Sequence, residues 1–147
     1  MKYIKECTIK PSHLCNCLNV RRASRAMTQF YDRVLEPSGL KVTQLSLLKH
    51  VDQLAPIAIS ELAKEIRIDR TTLNRNMKPL EDAGLIVISP GRDPRVKEVA
   101  LSDAGKQAVA EGWALWEEAQ CDIKEYLGEK DLATLVELLS KLEGLTP

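Results

Sequence analysis

Between Ser60 and Leu101 the hydrophobic spacing changes from helical to alternating, and that change restricts the fold more than any other feature of the chain. Ser60 opens a short helical run with Leu62, Ala63 and Ile66 on one side. A tight turn, Arg67-Ile68-Asp69, follows, and Asp69 caps a second run with Leu73, Met77 and Leu80 at steps of four and three. Gly84 closes that run. Leu85-Ile86-Val87-Ile88 then reads as a strand, and a turn rich in Pro, Gly and Asp, Pro90 to Pro94, leads to a second strand, Val96 to Leu101. Ile57-Ala58-Ile59, just upstream, has room for one minor strand only. The pattern predicts two short helices joined by a tight turn, then a hairpin: a helix-turn-helix with a wing.

Long helices flank this module. The first runs from Ser12 to Leu35, with Met27, Phe30, Tyr31 and Val34 on one face, and Pro37-Ser38-Gly39 ends it. Thr43 caps a second, carrying Leu47, Leu48 and Val51. Ser102 caps a long helix ending near Gly128, whose seam is Val109, Trp113, Trp116, Gln120, Ile123 and Leu127. The last, from Lys130 to Leu142, repeats the pattern with Leu132, Leu135, Leu139 and Leu142. The expected fold is mainly α with a small β-hairpin wing. Residues 37–101 form the winged helix-turn-helix; 1–36 and 102–147 form a helical dimerisation region within one structural domain. Two tryptophans and a leucine seam exceed what the central module can cover, so a homodimer is expected rather than packing within one chain alone.

A length of 147 residues supports one core, and no apolar run approaches membrane-spanning length. The first residues lack the apolar core of a signal peptide, so a cytoplasmic protein without membrane contact is expected. The formal net charge is zero but unevenly spread. Residues 1–63 hold nine basic and five acidic side chains, residues 64–101 eight and six, and residues 102–147 four and ten. The acidic surplus is thus confined to the last third, leaving the central module mildly basic. His13 and His50 flank no serine or acid constellation, and no glycine-rich phosphate loop is present. Neither an enzyme nor a bound cofactor is expected.

The second short helix carries the chemistry. An α-helix fits the major groove of B-DNA and meets base edges with its N-terminal residues. Here these are Arg70, Thr71, Thr72, Asn74 and Arg75, with Lys78 a turn further on. Arg bonds guanine bidentately, Asn does the same to adenine, and Thr reaches bases or phosphates. The hairpin adds Arg92, Arg95 and Lys97 at or near its tip. Double-stranded DNA is the expected partner. The bland alternative is a solvated surface helix; the functional alternative is a winged helix that binds protein without an operator. Pro79 lies inside the helix, where it removes the bond to the Arg75 carbonyl and bends the last turn.

Ser60-Glu61-Leu62-Ala63, Asp69 to Arg75 and Leu80-Glu81-Asp82-Ala83-Gly84-Leu85-Ile86 together resemble the MarR family of bacterial regulators. So do the wing, Asp93-Pro94-Arg95-Val96-Lys97, and the helix start Leu101-Ser102-Asp103-Ala104-Gly105. The resemblance implies a dimer with intertwined terminal helices, Arg95 in the minor groove, and Asp93 orienting the wing. It also implies an effector, a small aromatic compound or an oxidant, acting between the dimer helices and the reading head.

Cys15 and Cys17 stand beside His13, but positions two apart on a helix point to different sides, so a zinc site is not expected. A thiol near a helix start with Arg21, Arg22 and Arg25 close by is expected to be more reactive than an ordinary one. The run Ser24 to Tyr31 resembles the thiol-based organic-hydroperoxide sensors of the same family, which puts Cys17 at their reactive position. Cys121 is then the candidate resolving thiol of the second subunit. Arg21 stands where those sensors carry an aromatic residue. The alternative is that Cys17 and Cys121 are buried as small apolar residues.

Overall fold

The computed structural model describes residues 15–146; Ser12 and His13 lie outside the described residues. Among the described residues six α-helices and three strands follow in the order α1 (Asn16–Leu35), α2 (Val42–Leu54), β1 (Ile57–Ala58), α3 (Ile59–Ile66), α4 (Arg70–Asp82), β2 (Ile86–Pro90), β3 (Lys97–Leu101), α5 (Asp103–Leu127) and α6 (Glu129–Glu143). The architecture is the mainly helical winged form expected. Among the described residues, no helix is long and apolar enough to cross a membrane. The chain divides into two compact units: Leu35–Leu115, and the described residues through Val34 together with those from Trp116 onward.

In the first unit, the apolar faces of α2, α3 and α4 meet over a small sheet. Leu48, Val51, Leu62, Leu73 and Leu80 are fully or almost fully buried. The wing is larger than a hairpin. β3 lies in the middle of an antiparallel sheet of order β1-β3-β2, with Val99 opposite both Ile57 and Ile88. Val99 is 1% exposed, so the wing's central strand is anchored in the core.

Two helix starts differ from expectation. α2 begins at Val42, one residue before Thr43, and the Gln44 side-chain oxygen accepts the Lys41 N–H at 2.9 Å. That bond closes the first turn from the side-chain end and leaves Thr43 exposed within it. α3 begins at Ile59 rather than after Ser60, because Ala58, the last residue of β1, is also the helix's N-terminal flank. Burial of Ile59 fixes this start, and exposed Ser60 sits inside the first turn.

The junction of wing and α5 is unusually close. The Ser102 hydroxyl donates to the Gly84 carbonyl at 2.5 Å and accepts the Gly105 N–H at 3.0 Å, while the Ser102 N–H donates to the Leu85 carbonyl at 3.0 Å. A Cβ on Gly105 would stand 2.0 Å from that same Leu85 oxygen. Only glycine lets the first turn of α5 lie against the backbone here.

The second unit is helical. Phe30 and Tyr31 are buried and meet edge to face at 5.7 Å between ring centroids. The Tyr31 hydroxyl donates to Gln120 Oε1, tying α1 to α5, and burial raises the Tyr31 pKa above the ordinary phenol value. Ala119 and Ile123 are the buried positions of α5 in this unit. α6 contrasts with them: Val136, Leu138, Leu139 and Leu142 are all exposed.

Candidate nucleic-acid interface

The turn before α4 fixes the start of the recognition helix. Arg67 adopts a left-handed conformation (φ 60°, ψ 46°), which reverses the chain between α3 and α4. Asp69 then caps α4: Oδ1 accepts the Thr72 N–H at 2.9 Å and Oδ2 accepts the Thr72 hydroxyl at 2.5 Å. These two bonds, the hydroxyl's first, hold the Asp69 carboxyl below the usual carboxylate range. Thr72, which the sequence offered as a contact residue, thus also serves the cap, with its hydroxyl donating to Asp69. Its neighbours are arranged differently.

Leu73, Met77 and Leu80 are buried, and Arg70, Thr71, Asn74, Arg75 and Lys78 are exposed, so α4 separates into two faces as its spacing predicts. Lys78 Nζ lies 2.8 Å from Asp82 one turn on, and that hydrogen bond raises its pKa. This exposed pair leaves the ammonium at the surface rather than burying it. Pro79 stands inside α4, beyond the residues that would reach base edges.

The wing tip presents Arg92, Arg95 and Lys97, all exposed. Asp93 folds the tip: its Oδ1 accepts the Arg95 N–H at 3.0 Å and Nε–H at 3.1 Å, and its Oδ2 accepts an Nη2–H at 2.9 Å. The guanidinium beside it, the larger cause, and the backbone N–H hold the Asp93 carboxyl low. A guanidinium carries five N–H donors. Two are engaged here, yet the Arg95 side chain stays 89% exposed, so the remaining edge of the fork faces outward in a fixed pose. Asp93 also offsets the charge of Arg95 itself, which makes Arg95 a positioned donor more than a diffuse positive field. The candidate interface thus consists of one exposed helical row and one oriented fork, both within the same compact unit.

The three cysteines flagged by the sequence are exposed and in no disulfide: Cys15 just ahead of α1, Cys17 in its first turn, and Cys121 on α5. The reading of Cys17 and Cys121 as buried apolar residues is corrected by that exposure. Among the described residues no group of His, Cys, Asp and Glu is arranged to hold a metal.

This combination of capped reading helix and three-stranded wing defines a winged helix-turn-helix protein. A helix-turn-helix domain family matches residues 43–88. Over nearly the whole chain the fold is similar to the M. tuberculosis transcriptional regulator MosR in complex with DNA, with 33% identity, a TM-score of 0.77, and coverage of 90% of this chain and 99% of that one. A probable transcriptional regulator from Pseudomonas aeruginosa matches with 25% identity and a TM-score of 0.79, covering 86% of this chain and 96% of that one. A mutant MarR from E. coli complexed with operator DNA shares the fold at 22% identity and a TM-score of 0.77, over 89% of this chain and 99% of that one. The chain belongs to the MarR family of winged helix-turn-helix transcriptional regulators.

One residue the sequence reading passed over is Lys41. It precedes the predicted start of α2 and belongs to no periodic pattern, so only the fold brings it beside α4, where it lines the same concavity as Arg75.

Proposed function

We propose that the protein is a repressor that binds a pseudo-palindromic DNA operator as a homodimer and is released by a small aromatic effector or by thiol oxidation. The observation that carries the DNA-binding reading is the outward row Arg70, Thr71, Asn74 and Arg75 on a helix whose other face is buried, next to a wing arginine locked by Asp93. Such a helix enters the major groove with Arg75 and Asn74 at base edges, and Arg95 reaches the adjacent minor groove. The solved DNA complexes of MosR and MarR support this reading. The exposed apolar face of α6 supports a second copy, since a row of that kind in water favours association. A two-fold dimer requires half-sites about 34–36 Å apart, one turn of duplex.

The test pairs Arg75→Ala and Arg95→Ala with measurement of operator affinity and of dimer mass. Each substitution is expected to weaken binding by about 1–3 kcal/mol, roughly 5- to 150-fold, with the dimer intact. Undiminished affinity in both variants refutes the reading and favours a winged helix that binds protein. The exposed thiols support the oxidation route. An organic hydroperoxide is expected to release DNA from the wild type and not from Cys17→Ser; equal behaviour of the two removes Cys17 from the mechanism.

A further inference from the structure

Beside the recognition helix lies a small concavity of about 180 Å³, lined by Lys41, Thr43 and Gln44 of the α2 entrance and by Arg75, Asn76 and Pro79 of α4, with Leu47 as its apolar floor. We propose that this notch seats a phosphate of the DNA backbone, held by the Lys41 ammonium, with Arg75 bordering it on the side that turns to the bases. The proposal rests on the DNA-binding reading above and adds a backbone contact that needs the entrance of α2 as well as the recognition helix.

The chemistry of the lining favours an anion. Two side chains carry permanent positive charge, Thr43 and Asn76 can donate, and no carboxylate lines the notch. The Gln44 oxygen is taken by the Lys41 N–H at 2.9 Å, which leaves the Gln44 NH₂ group as a donor. Position favours the same ligand. In the α4 wheel, Thr71 and Arg75 mark the outward direction, and Asn76 and Pro79 fall on the flank that turns toward α2. A helix lying in the major groove, about 12 Å wide, has a phosphate strand along each flank. A cationic notch on one flank therefore meets backbone, and such contacts set the register of the protein on the duplex without reading sequence.

The alternative is structural. Pro79 leaves the Arg75 carbonyl without its usual helical donor, and a cation or amide from α2 could satisfy it. The two accounts differ in salt dependence. A phosphate contact contributes about 0.9 to the slope of log K against log salt, so a dimer losing two contacts loses about 1.8. The affinity ratio of wild type to Lys41→Gln should then shrink about twelvefold between roughly 50 and 200 mM salt.

The experiment measures binding of a labelled duplex enriched by the wild-type protein from a random library, and of a mixed-sequence duplex, across that salt range. Lys41→Gln is expected to weaken both duplexes alike and to flatten both slopes, Lys41→Arg to restore them, and neither to change the thermal midpoint. An unchanged slope in Lys41→Gln, with Arg75→Ala and Arg95→Ala still impaired, overturns the clamp and leaves the DNA-binding reading intact. A lowered thermal midpoint with an unchanged slope assigns Lys41 to the structural role and also overturns it. Failure of the wild type to bind either duplex removes both.

Discussion

Replacing Gly105 by alanine tests how the wing is joined to α5. The added Cβ would stand 2.0 Å from the Leu85 carbonyl oxygen and 3.0 Å from its carbon. Ordinary carbon–oxygen contact needs more than an ångström of further separation, and the obstacle is backbone, not the end of a flexible side chain. Moving it disturbs the bond from Ser102 N–H to Leu85, and with it the Ser102 hydroxyl bonds to Gly84 and Gly105. Each such bond contributes about 1 kcal/mol net, and overpacking costs about 1–3 kcal/mol, while relaxation recovers part of both. The expected loss is about 3 kcal/mol, a large share of a stability of about 5–15 kcal/mol. In a chain of this size that is a fall of roughly 10 °C in the thermal midpoint. Urea unfolding at one fixed protein concentration measures it, and holding the concentration matters because association would itself add stability. Gly112→Ala is the control. Its Cβ would meet only the Leu45 and Leu40 methyl groups, at 3.0 and 3.4 Å, so about 1 kcal/mol or less is expected. If Gly105→Ala unfolds within about 0.5 kcal/mol of wild type, the steric reasoning is wrong.

Three further outcomes follow from the same geometry. Asp69→Ala is expected to cost about 1 kcal/mol of stability by uncapping α4, and Asp69→Asn much less, as read by chemical denaturation; equal losses would mean the cap acts through charge alone. Asp93→Ala should lower the thermal midpoint only slightly while weakening DNA binding several-fold, about 1 kcal/mol, since Arg95 loses its fixed pose; a larger effect on folding than on binding would contradict that assignment. Carboxyl titration by NMR should place Asp69 and Asp93 below the ordinary aspartate range. Because their folded pKa values are lowered, the stabilisation they give is present above the unfolded aspartate value and is lost as pH falls through the folded one.

The sequence was most legible where local chemistry and burial agree. In α4 a polar cap, a glycine stop and apolar residues at helical spacing coincide, so both its limits and its two faces could be read directly. The starts of α2 and α3 misled because Thr43 and Ser60 are good capping residues by type. Gln44 closes the first turn of one helix from within, and a strand runs straight into the other, so neither cap is needed. The second role of Thr72, as partner of the Asp69 cap, was not read from the sequence, because a hydroxyl's type does not say which neighbour it bonds. The pairing of β1 with β3 and the approach of Lys41 to Arg75 join positions far apart in the chain, and no local period records them.

The pairing of Ile57 with Val99 has a mechanical consequence. β1 hands directly to α3, so β3 is paired through Val99 and Glu98 with the two residues, Ile57 and Ala58, that precede the first helix of the reading pair. On the proposed reading, wing and reading pair would then meet their two grooves as one stiff unit rather than as independent parts.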